Sequence, residues 1–486
     1  MSEACVDIQF ALISHTNNGK TTLVRTLTGI DVGEVRDAAH VTLLAESHPL
    51  LATPEGDTLQ LWDTPGFGDS VRLFKRLGMS GNPIGWFLRE VLDRYRDRPF
   101  WLSQQALRTA RDAADVVLYL VNSSENPVDA GYLVSEMKIL QWLGKPVVVL
   151  LNQMGAPRPA FEEQKEQALW QQHLAQYGIV RDVLALDAFA RCWVHERVFY
   201  RALGKLIAAP KQAGYMRLVA SWEASNTARF HAAMRLISQQ VVAAARDSEP
   251  IVADRKTLLK SALKVVGLGR AGAAQQGDKA MAMLVGRLNL SMEQATAGLL
   301  VLHKLDTSEA AKINARVRDN FIVRAPIGKA QAGLLGAVLS GAATGLSADL
   351  IAGGLTLGAG ALLGGAVGAL TFAGAAWGFN AKTDRSEPSM QFSVEFLRTL
   401  LVASILRYLA VAHFGRGRGN FLESEAPAFW QEEVEQAAAR LDADLNLLWQ
   451  SLRKDGAHGK ALLDAERIVM QIASHTLDQL YPGARE

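Results

Sequence analysis

The chain has two cysteines, Cys5 and Cys192, in 486 residues. That excludes a disulfide framework and fits a reducing compartment. It also lacks a charge of one sign: 51 Lys and Arg against 49 Asp and Glu leave a formal charge of +2. No overall field draws such a chain to nucleic acid, and any basic contact must be local. Ten histidines are scattered without HExxH or a comparable ligand spacing, so no zinc site is expected. The opening residues MSEACVDIQFALIS have no basic n-region or cleavage site and read as a strand rather than a signal peptide. A signature of disorder is missing too, with 49% hydrophobic and 21% charged residues. At this length, roughly two to four domains are expected.

What is there begins at once. VDIQFALI (6–13) is an apolar run with the character of a buried parallel strand. SHTNNGKTT (14–22) follows, and LVRTLTG (23–29) opens a helical pattern that stops at Gly29. Strand, loop and helix are the setting that a phosphate-binding loop requires. Backbone N–H groups around Asn18, Gly19 and Lys20 would face a β-phosphate from a helix N-terminus. Lys20 would reach the β- and γ-phosphates, and Thr21 would offer its hydroxyl to Mg²⁺, with Thr22 beside it. Ser14 stands where such loops usually open with glycine, a departure that calls for a β-type backbone or room for a small Cβ. A plain strand–turn–helix rich in small polar residues is the competing reading.

A second element weighs against that alternative. TLQLWDTPGFGD (58–69) ends a strand in Asp63-Thr64-Pro65-Gly66. Asp63 is placed to hold the Mg²⁺ shell through water, and the Gly66 N–H to bond a γ-phosphate and let the next loop switch. Between the two motifs, the polar DVGEVRDAAHVT (31–42) places Thr42 to cover the metal, whereas Thr26 and Thr28 lie in the first helix. ADVVLYLVN (114–122), KPVVVLLNQMG (145–155) and VLALDAFAR (183–191) are further strand-like runs, with helical patterns at 106–113 and 129–144. The alternation predicts an α/β fold, a doubly wound parallel sheet with ligand at the strand carboxyl ends.

Order and spacing of these motifs resemble the Era/TrmE-like branch of bacterial P-loop GTPases, whose loop reads G-x-x-N-x-G-K-[ST] against Ser-His-Thr-Asn-Asn-Gly-Lys-Thr here. The resemblance implies GTP and Mg²⁺ as ligands, and a K⁺ ion that Asn17 helps to coordinate. Phe67 follows Asp-Thr-Pro-Gly where Ras-like proteins carry a water-orienting glutamine, which also resembles this branch; packing of the switch is an equally compatible role. The base-recognition pattern N-K-x-D departs: it reads Asn152-Gln153-Met154-Gly155. Asn152, with Gln153 next to it, can bind the base edge and tie the phosphate loop. Gly155 supplies no carboxylate for the guanine N1 and N2 groups, so ATP or relaxed specificity stays open. Ala188 fits the last motif through its backbone N–H, and Phe189, in place of a lysine, can lie against the base.

The expected domains are a GTPase domain over 1–205, with a helical insertion at 70–103 after the second switch, and a mainly α-helical domain over 206–486. The insertion is read as packing or as a nucleotide-controlled partner surface. Within the helical half, Ala330–Ala348 and then 350–381 carry no charge and are rich in Gly and Ala, with glycines four apart. Length, the small-residue spacing and the aromatics Phe372, Trp377 and Phe379 predict a membrane-inserting hairpin at 330–381. A helical hairpin buried in a soluble bundle is the alternative. Such a chain resembles a bacterial family of large GTPases whose C-terminal domain has no assigned role. The reading is a GTP hydrolase whose nucleotide state controls a membrane-associated helical domain, located in the cytoplasm at or in the inner membrane. Alternatives are a nucleotide-binding switch or scaffold with little hydrolysis, and an RNA- or ribosome-associated GTPase. The last lacks a GxxG loop in a KH context or RNP aromatics, so nucleic acid is not an expected partner. A membrane-protein partner and a homodimer are compatible with the resemblance.

Overall fold

The computed structural model describes residues 5–15, 18–29, 46–64, 66–67, 70–77, 101, 104, 107, 110–155, 158–186, 192–250, 271–305, 377–379, 389–413, 428–453 and 458–482. These fall into two compact units. One comprises 1–228, 412–424 and 480–486; the other comprises 229–411 and 425–479.

The first unit is built on a six-stranded sheet: β1 (Asp7–Ser14), β2 (Glu46–Ala52), β3 (Thr58–Asp63), β4 (Val116–Asn122), β5 (Val147–Asn152) and β6 (Val180–Ala185). Spatial order is β2-β3-β1-β4-β5-β6. All neighbours are parallel except β2, which runs antiparallel on the edge beside β3. Its sequence, ESHPLLA, carries Pro49 with a register shift next to it. An edge strand tolerates a residue that cannot donate to the ladder, and for the same reason the segment does not read as a strand.

Alternate residues of the central strands feed two cores, as a sheet covered on both faces demands. Ile8, Phe10, Leu12, Leu118 and Leu120 pack with Leu23, Val24 and Leu27 of α1 (Lys20–Thr28). Phe199, Tyr200 and Leu203 of α5 (Trp193–Gly204) join that core, as do Tyr215 and Leu218 of α6 (Ala209–Arg246). On the other face, Ala11, Ile13, Tyr119, Val121 and Leu151 pack with Leu73 of α2 (Ser70–Leu77) and with Leu133, Met137 and Leu140 of α3 (Leu133–Leu143). Trp170 and Leu174 of α4 (Ala160–Leu174) complete it. This is the doubly wound α/β arrangement. The strand order reverses between β1 and β4, which opens a crevice at their carboxyl ends.

The second unit is largely helical. Besides the rest of α6 it contains α7 (Ala271–Leu302), α8 (Val394–Ala412), α9 (Ala428–Ala439), α10 (Asp442–Leu452) and α11 (His458–Leu480). It also holds a small antiparallel sheet in the order β7-β9-β8, made from β7 (Ser248–Pro250), β8 (Trp377–Phe379) and β9 (Ser389–Phe392). Thus Trp377–Phe379, the end of the uncharged run, forms a strand rather than the end of a helix. The remainder of 330–381 lies outside the described residues, as does most of the 70–103 insertion; its first helical turns are α2. No helix among the described residues is long and apolar enough to cross a membrane.

Candidate functional site

The crevice is lined first by the turn from β1 into α1. Gly19 is the residue before α1 and has φ +83°, a left-handed conformation that side chains disfavour. A Cβ there would also stand 2.7 Å from Asn152 Nδ2. Asn152, at the end of β5 and fully buried, donates from Nδ2 to the Asn18 carbonyl at 2.8 Å. One asparagine side chain therefore pins the loop from two strands away, and the backbone left at Gly19 is the cradle that phosphate oxygens need. Asn18 donates in turn to the Leu120 carbonyl at 3.2 Å.

Ser14, in the place of the usual glycine, is fully buried. Its hydroxyl accepts from Lys20 Nζ at 3.0 Å and donates to the His15 carbonyl. The lysine is 8% exposed. Burial pushes its pKa down, and the carboxylates of Asp63 and Glu136 act in the opposite sense. An incoming phosphate would offset the desolvation cost of such a cation by charge pairing. Thr21 Oγ1 donates to Asp63 Oδ2 at 2.9 Å, so the two oxygens expected at Mg²⁺ are already side by side. Hard oxygen donors beside a phosphate cradle form the donor set that Mg²⁺ prefers, and the residues present fit that ion. Thr22 is buried; Thr26 and Thr28 turn their hydroxyls onto carbonyls of their own helix.

The second motif is fastened to the first. Thr64 donates to the Leu12 carbonyl at 2.6 Å, and the Phe67 N–H to the Ser14 carbonyl at 3.0 Å. Gly66 is buried between them. The Phe67 side chain is fully buried in the core beneath α2 and α3, so the position after Asp-Thr-Pro-Gly offers the crevice no polar group. In the turn after β5, where base recognition is expected, Gln153 has φ +59° and Gly155 φ +84°. A glycine suits that turn, and with open space around it no carboxylate is presented there. Asn17, Thr42, Ala188 and Phe189 lie outside the described residues.

One cluster was not singled out in the sequence. Glu136 of α3 is fully buried under the loop; it accepts from Tyr119 Oη at 2.5 Å and pairs with His15 Nδ1 at 2.7 Å. The His15 ring stacks on Tyr132 with centroids 4.3 Å apart. Burial raises the Glu136 pKa, while the hydrogen bonds from His15 and Tyr119 oppose the shift. The signal was present: Glu136 interrupts the apolar spacing Leu133, Met137, Leu140 on the core face of α3.

Residues 9–153 match the family described as 50S ribosome-binding GTPase. No curated protein matches the chain. Among solved structures, an Era variant from Aquifex aeolicus bound to GDP and aluminium fluoride shares 20% identity at a TM-score of 0.30, covering 42% of this chain and 57% of that one. Era in complex with MgGDPNP and a 16S ribosomal RNA fragment shares 19% at 0.28, covering 38% and 52%. The cytosolic domain of the T. maritima FeoB iron transporter in its GMPPNP form shares 18% at 0.24, covering 41% and 64%. The chain thus spans under two thirds of the length of each. Residues 171–472, more than half of the chain, match a domain of unknown function (DUF3482), and the protein belongs to that family, with a GTP-binding P-loop domain at its N-terminus.

Proposed function

We propose that the protein hydrolyses GTP to GDP and phosphate and that its nucleotide state controls the helical domain, with 1–205 as the nucleotide domain and 206–486 as the responding one. The observation that carries the reading is the meeting of Lys20, Thr21, Asp63 and Asn152 at the carboxyl ends of β1, β3 and β5 around the Gly19 backbone. Lys20 neutralises charge on the β- and γ-phosphates as the bond to the leaving oxygen lengthens. Thr21 and Asp63, joined by Thr42, hold Mg²⁺, which supplies further charge neutralisation when bound. The Gly66 N–H reads the γ-phosphate. Asn152 and Gln153, with Ala188 and Phe189, bind the base, and Asn17 contributes to a K⁺ site. Membrane association through 330–381 rests on the uncharged, small-residue sequence of that segment.

The test is phosphate release with GTP and with ATP, each in KCl and in NaCl. Turnover of GTP that rises in K⁺ and vanishes in Lys20→Ala supports the proposal; equal turnover in Lys20→Ala overturns it. One observation favours a second reading, a switch with little hydrolysis. Phe67 is buried in the core, so the position after Asp-Thr-Pro-Gly offers no side chain to orient the attacking water, which predicts slow turnover. Tight GTP binding with no phosphate release in either salt selects that reading.

A further inference from the structure

Tyr481, the residue after α11, lies on the start of α5. Its ring stands 5.3 Å from the His195 ring, the two planes 25° apart. The Tyr481 hydroxyl is hydrogen-bonded to Nε2 of His413, the residue after α8, and those two rings are 5.7 Å apart at 18°. The hydroxyl also reaches the Cys192 thiol. Burial pushes that thiol up to about 11, and the hydrogen bond with Tyr481 is among the causes that oppose the shift. Cys192 and His413 are buried. A tyrosine hydroxyl has one proton to give and lone pairs to accept with. It can therefore accept from the imidazole N–H and donate to the sulfur at once.

These residues come from distant places in the chain, yet all belong to the first unit, which takes in 412–424 and 480–486. α8 and α11 lie in the second unit up to Val411 and Gln479. Both helices therefore end in residues held by the nucleotide unit. What holds them is close to the machinery of that unit. The Cys192 carbonyl accepts from the His195 and Glu196 N–H groups at 3.0 and 3.2 Å and so starts α5. Phe199, Tyr200 and Leu203 of α5 share a core with Leu23, Val24 and Leu27 of α1, the helix that Lys20 opens. Packed contacts of this kind have discrete arrangements, held or released, rather than a continuum.

We propose that Tyr481 is a clamp by which the nucleotide unit holds the ends of α8 and α11, and that bound nucleotide acts on the helical domain through this clamp. The inference rests on the reading that nucleotide state controls that domain, and it names the residues that carry the control. By linkage, the helical domain acts in turn on nucleotide affinity through the same contact.

The experiment follows amide hydrogen exchange in α8 and α11 of the full chain, without nucleotide and with a non-hydrolysable GTP analogue and Mg²⁺. In the parent, exchange in these helices is expected to differ between the two states by at least about fivefold. In Tyr481→Ala the difference should fall below about twofold while the analogue still binds. His195→Ala removes the ring from the α5 side, at a half-buried position. It should have the same effect, and it serves if Tyr481→Ala does not fold. Tyr481→Phe keeps the ring and loses the hydroxyl, and should fall in between. A purely structural role for Tyr481 would speed exchange equally in both states and leave the difference intact. That outcome, or a difference in His195→Ala equal to the parent's, overturns the clamp and leaves nucleotide control standing. A parent in which the analogue changes neither helix overturns nucleotide control itself, and the clamp with it.

Discussion

Glu136 and Gly155 show how single side chains bear on the nucleotide site from opposite directions. Glu136 braces the phosphate loop from below, through His15 and Tyr119. Replacing it by leucine strands the buried Tyr119 hydroxyl, at about 1–3 kcal/mol, and removes the partner of the half-buried His15 ring, which frees the loop. Glu136→Leu is expected to speed dissociation of a fluorescent GDP analogue about tenfold, whereas Tyr119→Phe, which leaves the carboxylate and His15 in place, changes it less than about threefold. Equal effects would mean that the cluster serves packing alone. Gly155 occupies a left-handed turn at φ +84°. Gly155→Asp costs about 1 kcal/mol of stability for that backbone, but it supplies the carboxylate that the N-K-x-D pattern has at this position. The preference for GTP over ATP in competition binding should rise at least about tenfold. An unchanged preference would show that the base does not reach this turn.

Docking of α6 onto the sheet turns on a close approach and an ion pair. A Cβ at Gly214 would stand 2.1 Å from a Val6 methyl carbon, so this face of the helix lies directly on the chain entering β1. One turn on, Arg217 grips Asp57 with Nε to Oδ2 at 2.7 Å and Nη2 to Oδ1 at 2.9 Å. Asp57 ends the turn from β2 to β3 and also accepts from the Val6 N–H at 3.0 Å. The hydrogen bond from Arg217 is the largest cause holding its carboxyl down to about 2. A depressed carboxyl stabilises the fold above its unfolded pKa of about 4 and ceases to do so as pH falls through the folded value. The contribution, about 2 kcal/mol, is thus present at neutral pH and lost between about pH 4 and pH 2. Asp57→Asn should remove that part of the acid limb in chemical unfolding followed from pH 7 to pH 2. It should also destabilise the first unit at pH 7 by about 2 kcal/mol, because the buried end of the pair loses its carboxylate.

At the scale of the whole molecule, α6 contributes residues to both units, 209–228 to one and 229–246 to the other. Acid should reach the second unit earlier than the Asp57 link. His303 lies against Tyr408, with ring centroids 5.9 Å apart. Burial pushes its pKa down to about 4; Arg229 adds to the shift, and the Leu299 carbonyl opposes it. A lowered histidine is neutral in the fold and protonated when unfolded, so the unfolded state binds more protons between about pH 6.5 and pH 4. The stability it permits is complete above about pH 6.5 and falls as the pH drops towards 4. His303→Leu should flatten the melting temperature of the full chain across that window, and an unflattened profile would remove His303 as the cause.

The sequence by itself determined the alternation of strands and helices up to about residue 200, the Gly19-Lys20-Thr21 loop, Asp63 at a strand end and the helical character of the second half. Each of these is a local matter: period, composition or a turn that one glycine must make. Tertiary structure alone decided the rest, because those features depend on partners far along the chain. Asn152 meets the Asn18 carbonyl across 134 positions and Glu136 meets His15 across 121; no window around either residue holds the other. The edge strand β2 carries a proline and little alternation, so it is a strand only because β3 offers it a ladder. Arg407 reads in sequence as an ordinary helical arginine. Only the packing of α8 removes it from water.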